Sequence, residues 1–336
     1  MPPAGPPRRL LGMALLKFDP QHALAGMRAI KAVVSTEGTM LDIQRTAMQL
    51  AQQHVLHVEA DIDALAPISP EELAQVFVDP AERRQLVQVM CGYVMLGQQL
   101  TPPYLAAIRR YARALDIDDP AVDQLHALMD DHITWLKFDF RRRGLIGDVI
   151  KQAYRDDGLR GAARTVMQII GHHEDPALAA RFDALERLPE GTAGRALWRF
   201  YTDRGFVFPG HKHGTPLPLV PHDLVHVLTG HDTDVLGEVR TLAFQSGFKR
   251  DKPLMFLFLL LYATHLGVDM VALAPGVSSM RDFFARPGVL AEVFQAYARG
   301  AAMTVDLLDG HFDVWSVLDL PLAELRARFN VIPLAA

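Results

Sequence analysis

The chain of 336 residues has a single cysteine, Cys91, which excludes an internal disulfide and fits a reducing compartment. In a chain that is half apolar, one isolated thiol reads as a buried structural residue. Positive charge is also short: 34 Lys and Arg stand against 39 Asp and Glu, a formal net charge of −5. No basic run exceeds Arg141-Arg142-Arg143, which argues against a protein that grips a phosphate backbone, so nucleic acid is not an expected partner. Long apolar runs are missing too. The charge-free block Leu254 to Leu261 is too short to span a bilayer, and extending it would place His265 and Asp269 in hydrocarbon. A buried helix, or one wall of an apolar pocket, is expected there. The start, MPPAGPPRRLLGMALLKF, has an arginine pair and a short apolar run, but Lys17 and Asp19 interrupt it and no small-residue cleavage site follows. Residues 1–25 are therefore expected to be a flexible lead-in.

Alternating, β-branched strand patterns are nearly absent as well. What is present is helical spacing: LDIQRTAMQLAQQHVLHV, RRQLVQVMCGYVMLG, PYLAAIRRYARAL and VDQLHALMDDHITWLKF place apolar residues at i, i+3, i+4 and i+7. The fold class is all-α, with two helical domains expected at 26–150 and 151–336. Charge shifts around FDFRRRGLIGD, and GHHEDPALAARFDALERLPEGT supplies turn signals, which puts the boundary between 140 and 180. Within the first domain, STEGTMLDIQRTAMQLAQ and LGQQLTPPYLAAIRRYAR both run from a glycine-bearing turn into an amphipathic helix. This echo, over residues 30 to 118, is similar to the TerB-like helical domains. TerB-type turns usually carry Asp-Gly and acidic residues, whereas here they are Glu37-Gly38 and Gly97-Gln98-Gln99, so plain helical packing is expected in that half.

Chemistry concentrates in PHDLVHVLTGHDTDVLGE, residues 221 to 238. His222 and His226 are four apart, so on a helix both imidazoles leave the same face and reach a common ion. Pro221 suits the first helical turn, Asp223 lies in that turn where the macrodipole favours negative charge, and Gly230 supplies a C-cap. A second helix follows, with Glu238 in its first turn. If the two pack as a hairpin, Glu238 comes against both histidines, and Gly237 leaves room for the approach. Two imidazoles and one carboxylate form the ligand set of open catalytic zinc sites. Asp223 adds a second carboxylate that either completes the sphere or stands beside it as a base or as the partner of a histidine. Asp232 and Asp234, in the turn with His231, read as helix caps before ligands. His211 and His213 read as a solvated loop. His265 and Asp269, also four apart, read either as a mutually satisfied buried pair or as a catalytic pair facing the metal cavity.

From residue 188 onward the chain resembles the coenzyme Q (ubiquinone) biosynthesis family, here called Coq-four. The family's hallmark is His-Asp-x-x-His, eleven residues, then Glu, and the chain supplies His222, Asp223, His226 and Glu238. LPEGTAGRALWRFYTDRGF, HDLVHVLTGHDTDVLGEVRTLAF, AYARGAAMTVDLLDG and PLAELRARFNV extend the resemblance over about 150 residues. It implies a helical fold with a divalent metal, usually zinc, held by His222, Asp223, His226 and Glu238 beside an apolar cavity for a polyprenyl chain. It further implies removal of the ring carboxyl from a polyprenylated hydroxybenzoate, coupled to hydroxylation; in such a reaction Asp223 or His265 is the expected handler of the proton. The partners implied are the prenylated aromatic molecule and other ubiquinone-biosynthesis proteins. A cytoplasmic location, with peripheral contact at the inner face of the membrane and room for a homodimer, completes the expectation. The chain departs from the family in GTPLPLVPHD, which has no basic residue after Lys212, and in its added N-terminal half.

Two rival readings come from other classes. A lipid-binding scaffold would use the metal only to pin two helices, and a closed four-ligand sphere would mark it. A His-Asp metallophosphohydrolase would need a further upstream histidine and downstream aspartate, which the sequence does not assign.

Overall fold

The computed structural model describes residues 19–97, 99–130, 145–169, 174–266 and 282–334, with 132, 134, 135 and 139 between them. Among these the architecture is all-α, and the one β-type pairing is an isolated bridge between Thr192 and Pro321. The first helices are α1 (Pro20–Val34), α2 (Asp42–Ala51), α3 (Pro70–Val76), α4 (Pro80–Met95), α5 (Pro102–Ala114) and α6 (Pro120–Met129). Then follow α7 (Leu145–Ile169), α8 (Pro176–Asp183), α9 (Ala193–Arg204), α10 (Val220–Thr229) and α11 (Val235–Phe248). The last are α12 (Met255–Leu266), α13 (Val289–Ala301) and α14 (Leu322–Phe329).

Many of these helices start for the same chemical reason. Asp19-Pro20, Asp79-Pro80, Asp119-Pro120 and Asp175-Pro176 open α1, α4, α6 and α8. In each, the aspartate side chain accepts a hydrogen bond from an amide of the first turn, and proline fills a position whose N–H would have no helical partner. Ser69 and Glu72 form a reciprocal capping box on α3. The Asp19 cap starts α1 at Pro20, inside the segment that the sequence suggests is a lead-in; residues before 19 lie outside those described. Asp157 and Gly158 interrupt α7, with Gly158 at a φ of 57°.

The apolar core is continuous from Ala25 to Val331. α1, α3, α4, α5 and α6 pack on one another, and α4 also packs on α12 while α2 packs on α13. Two polar links cross the same seam: Tyr262 Oη of α12 donates to Gln124 Oε1 of α6 at 3.1 Å, and His265 Nε2 of α12 bonds the Met95 carbonyl at the end of α4. Cys91 is fully buried in this region, and burial pushes its thiol far above the ordinary range, as the sequence suggests for a structural thiol. No helix among the described residues is long and apolar enough to cross a membrane.

The centre of the C-terminal half is α11. Every residue from Gly237 to Phe248 except Arg240 is buried, the pattern of a helix enclosed on all sides. Its tightest neighbour is α13, and glycine sets the distance. A Cβ on Gly300 would lie 1.9 Å from the Phe244 carbonyl oxygen, and one on Gly247 would lie 2.2 Å from that of Tyr297. The two helices therefore touch backbone to backbone.

Candidate metal centre

Helix α10 carries two imidazoles because its ends are fixed. Pro221 sits in its first turn, and Gly230 ends it in the left-handed region at a φ of 74°, its N–H bonded to the His226 carbonyl at 2.8 Å. Arg326 of α14 donates to the otherwise open carbonyls of Leu228 at 2.8 Å and Val227 at 3.2 Å, which anchors the same end. Asp234 then caps α11 by accepting from Gly237 N at 2.7 Å. A Cβ on Gly237 would lie 2.0 Å from the Asp232 carbonyl oxygen, so only glycine lets the turn fold this closely. Glu238, one residue on, is thereby delivered to the α10 face that holds both histidines.

The result is a compact buried group of His222, His226 and Glu238. The two Nε2 atoms are 3.3 Å apart; Glu238 Oε2 lies 3.4 Å from His222 Nε2, and Oε1 lies 3.5 Å from His226 Nε2. A tetrahedron's edge is about 1.63 times its centre-to-corner distance, so edges of this length correspond to ligand bonds of about 2.0–2.1 Å.

The surroundings suit that use. His226 Nδ1 lies 3.2 Å from the His231 carbonyl oxygen, which can only accept, so the proton sits on Nδ1 and the Nε2 lone pair faces the group. His222 Nδ1 lies 2.9 Å from Gln245 Nε2, while Gln245 Oε1 is buried without a hydrogen-bond partner. An amide oxygen and nitrogen exchange places by a flip of the group. Turning Oε1 toward Nδ1 satisfies that oxygen and frees His222 Nε2 for the same centre. Glu238 Oε2 is also buried without an aligned donor, which a cation would remedy. Burial opposes ionisation of Glu238, but the two histidines outweigh it and hold the carboxyl at about 2. For His222 burial favours the neutral form and Glu238 outweighs it, raising the imidazole. The residues therefore fit a divalent ion.

The other expected residues fall elsewhere. Asp223 is not part of the group: its Oδ2 accepts a hydrogen bond from Tyr201 Oη of α9, and burial raises its carboxyl. His265 is held at the Met95 carbonyl and is not part of it either; Asp269 lies outside the described residues. Asp232 is no helix cap but accepts from Arg204 Nη2 at 2.8 Å, whereas Asp234 is a cap, as the sequence suggests for it. His211 pairs with Asp183 at 2.9 Å. His231 is neutral, pushed down to about 3 by burial and by nearby Arg299. Arg299 Nη2 lies 3.1 Å from His231 Nε2, and His231 Nδ1 lies 3.0 Å from Thr241 Oγ1, which is itself 3.3 Å from His226 Nδ1.

Tyr201, Gln245, Thr241 and Arg299 escaped the sequence reading. Phe200 also packs on His226, ring centres 5.5 Å apart. An apolar cavity lies against α12, which lines it through Leu254, Leu257, Phe258 and Leu261. None of the three ligand residues touches it. No protein-family model matches the chain, and no curated protein matches it.

Proposed function

We propose that the chain is a zinc enzyme of the ubiquinone-biosynthesis type, which removes the ring carboxyl of a polyprenylated hydroxybenzoate with coupled hydroxylation. The observation that carries this reading is the incomplete ligand set: His222, His226 and Glu238 come together, and no fourth His, Cys, Asp or Glu joins them among the described residues. Two imidazoles and a carboxylate select zinc over calcium or magnesium, which prefer oxygen alone, and leave one position for water or substrate. The resemblance of the His222, Asp223, His226 and Glu238 pattern to the Coq-four family supports the substrate class.

A bound ion supplies Lewis acidity toward the ring carboxylate or phenolate oxygen. Asp223, whose carboxyl accepts from Tyr201, is the group that would take up or return the proton at the ring carbon. Phe200 and Tyr201 of α9 give the centre an apolar side that excludes water. Zinc has no redox chemistry, so the hydroxylation half would take molecular oxygen as oxidant, one oxygen atom replacing the carboxyl on the ring carbon and the other leaving as water with two protons and two electrons from an external two-electron reductant. Other ubiquinone-biosynthesis proteins and the inner face of the cytoplasmic membrane are the partners this reading carries.

One observation favours the scaffold reading, in which the chain holds a lipid intermediate for other enzymes: the apolar cavity lies apart from the ligands. A single preparation separates the two. The protein is purified without added metal, its metals are measured beside those of His226→Ala, and carbon dioxide release from a prenylated hydroxybenzoate is followed under oxygen. Near-stoichiometric zinc that vanishes in the variant, with carbon dioxide released by the wild type alone, supports the enzyme. Zinc without release favours the scaffold, and no metal in either protein sinks the centre.

A further inference from the structure

We propose that Arg299 of α13 is a positioning residue for His226, acting through His231 along a chain of hydrogen bonds; the inference rests on the reading of His226 as a metal ligand. From the outside inward, Arg299 Nη2 lies 3.1 Å from His231 Nε2, His231 Nδ1 lies 3.0 Å from Thr241 Oγ1, and Thr241 Oγ1 lies 3.3 Å from His226 Nδ1. Arg299 is half-buried, whereas His231, Thr241 and His226 are buried. A second path runs through the main chain, because the His231 carbonyl oxygen lies 3.2 Å from the same His226 Nδ1.

The direction of the chain follows from what each group can do. A guanidinium only donates, so His231 Nε2 must accept, and the neutral ring carries its proton on Nδ1. That N–H donates to Thr241 Oγ1, and the Nδ1–H of His226 is shared between the same hydroxyl oxygen and the His231 carbonyl. Both acceptors at the remote nitrogen of the ligand thus depend on His231: one is its own carbonyl, and the other is bonded to its ring. The backbone N–H of His231 is held too, donating to Thr229 Oγ1 at 3.3 Å.

Two features mark Arg299 as placed for this contact. Arginine is suited above all to carboxylates, yet among the described residues Arg299 forms no ion pair, and Glu292, whose charge acts on it, is bonded to Arg240 Nε at 3.0 Å. Its guanidinium is devoted instead to an uncharged imidazole. Its stem also starts from a fixed point, since the next residue, Gly300, lies against the Phe244 carbonyl of α11. Without the guanidinium, His231 is free to carry its proton on either nitrogen. When the proton is on Nε2, Nδ1 takes the hydroxyl proton of Thr241, the hydroxyl turns, and the ring keeps one anchor where it had two.

The test uses the full chain and two readouts: zinc affinity by competition with a chelator, and, in metal-free protein with labelled histidine, the ring-nitrogen chemical shifts of His231. Arg299→Met keeps an unbranched stem and removes the donor. It should bind zinc about three- to tenfold more weakly, less than the roughly 10–100-fold of a direct partner, because the effect is passed on by His231. In the metal-free wild type the His231 proton should sit on Nδ1, and Arg299→Met should lose that preference. Arg299→Lys, which also only donates, should restore both readouts, with zinc affinity within about twofold of wild type. Adding Arg299→Met to His231→Ala should cost less than about twofold beyond His231→Ala alone. Arg299→Gln gives the same readouts if Arg299→Met does not fold. Unchanged zinc affinity in the folded Arg299 variant, an equal loss with and without His231, or a wild-type His231 proton on Nε2 overturns the proposal. A wild type that binds no zinc sinks the metal reading and this inference with it, whereas tight zinc in both wild type and Arg299→Met sinks this inference alone.

Discussion

Replacing Gln245 by leucine is a sharp test of the metal centre, because Gln245 reaches only the remote nitrogen of one ligand. Its side-chain amide is fully buried, 2.9 Å from His222 Nδ1, and spends its other end on nothing. Leucine has nearly the same volume, so packing changes little. What is lost is the acceptor that fixes the Nδ1–H tautomer and the ring orientation of His222. Partners of this kind are worth about 10–100-fold in metal affinity, or roughly 1.4–2.7 kcal/mol. A neutral imidazole left with a buried unpaired nitrogen also costs about 1–3 kcal/mol of metal-free stability. Zinc affinity is measured by competition with a chromophoric chelator, and folding by urea unfolding with excess EDTA. Gln245→Glu supplies a stronger acceptor at the same place and should retain wild-type affinity or exceed it. Unchanged zinc affinity in a folded Gln245→Leu protein would refute the tautomer argument, and with it the assignment of His222 Nε2 to the ion.

Further outcomes follow from the same geometry. Tyr201→Phe removes the donor to Asp223, a hydrogen bond to a charged group worth about 1.5–3 kcal/mol, and should lower urea stability by about that amount. Since Asp223 lies outside the ligand group, zinc affinity in that variant should fall less than about threefold, and complete loss would return Asp223 to the coordination sphere. Gly300→Ala drives a methyl into the Phe244 carbonyl and should cost about 3 kcal/mol or more, read from the same unfolding curves. His231 is held at about 3 in the folded chain against roughly 6.5 unfolded, so its contribution is complete above pH 6.5 and shrinks as pH falls toward 3. With metal chelated, the wild type should lose about 2 kcal/mol more than His231→Gln between pH 7.5 and pH 5, and equal slopes would contradict the buried neutral imidazole.

The all-α class was legible because helical periodicity is local, and the ligand trio because two of its members share one helix face and the third follows a short turn. The partners of that trio were not legible. Tyr201 precedes His222 by a loop and a 3₁₀ turn, while Gln245 and Thr241 sit deep in a helix that mixes polar and apolar residues without a helical period, where no periodic face singles them out. Arg299 comes from another helix altogether. His265 differs again: its ring nitrogen bonds a carbonyl 170 residues earlier in the chain, a contact that spacing along its own helix does not reveal. The Asp-Pro pairs show that more was present than periodicity alone yields, since they mark the starts of α1, α4, α6 and α8 without any alignment of apolar residues. The cavity is tertiary in origin. Helices far apart in sequence close it, and only α12 announced an apolar wall.

The backbone-to-backbone contact at Gly247 and Gly300 has a mechanical consequence. Side chains between helices act as a compliant layer, because they can change rotamer and absorb a displacement. Where that layer is missing, α11 and α13 move as one stiff strut. One end of the strut carries Glu238 into the metal centre, and its flank carries Val293 and Phe294 into the cavity wall. Metal–ligand bonds tolerate displacements of only about 0.2 Å. A shift of α13 too small to register as a change of shape would therefore still alter the spacing of a group that could hold an ion.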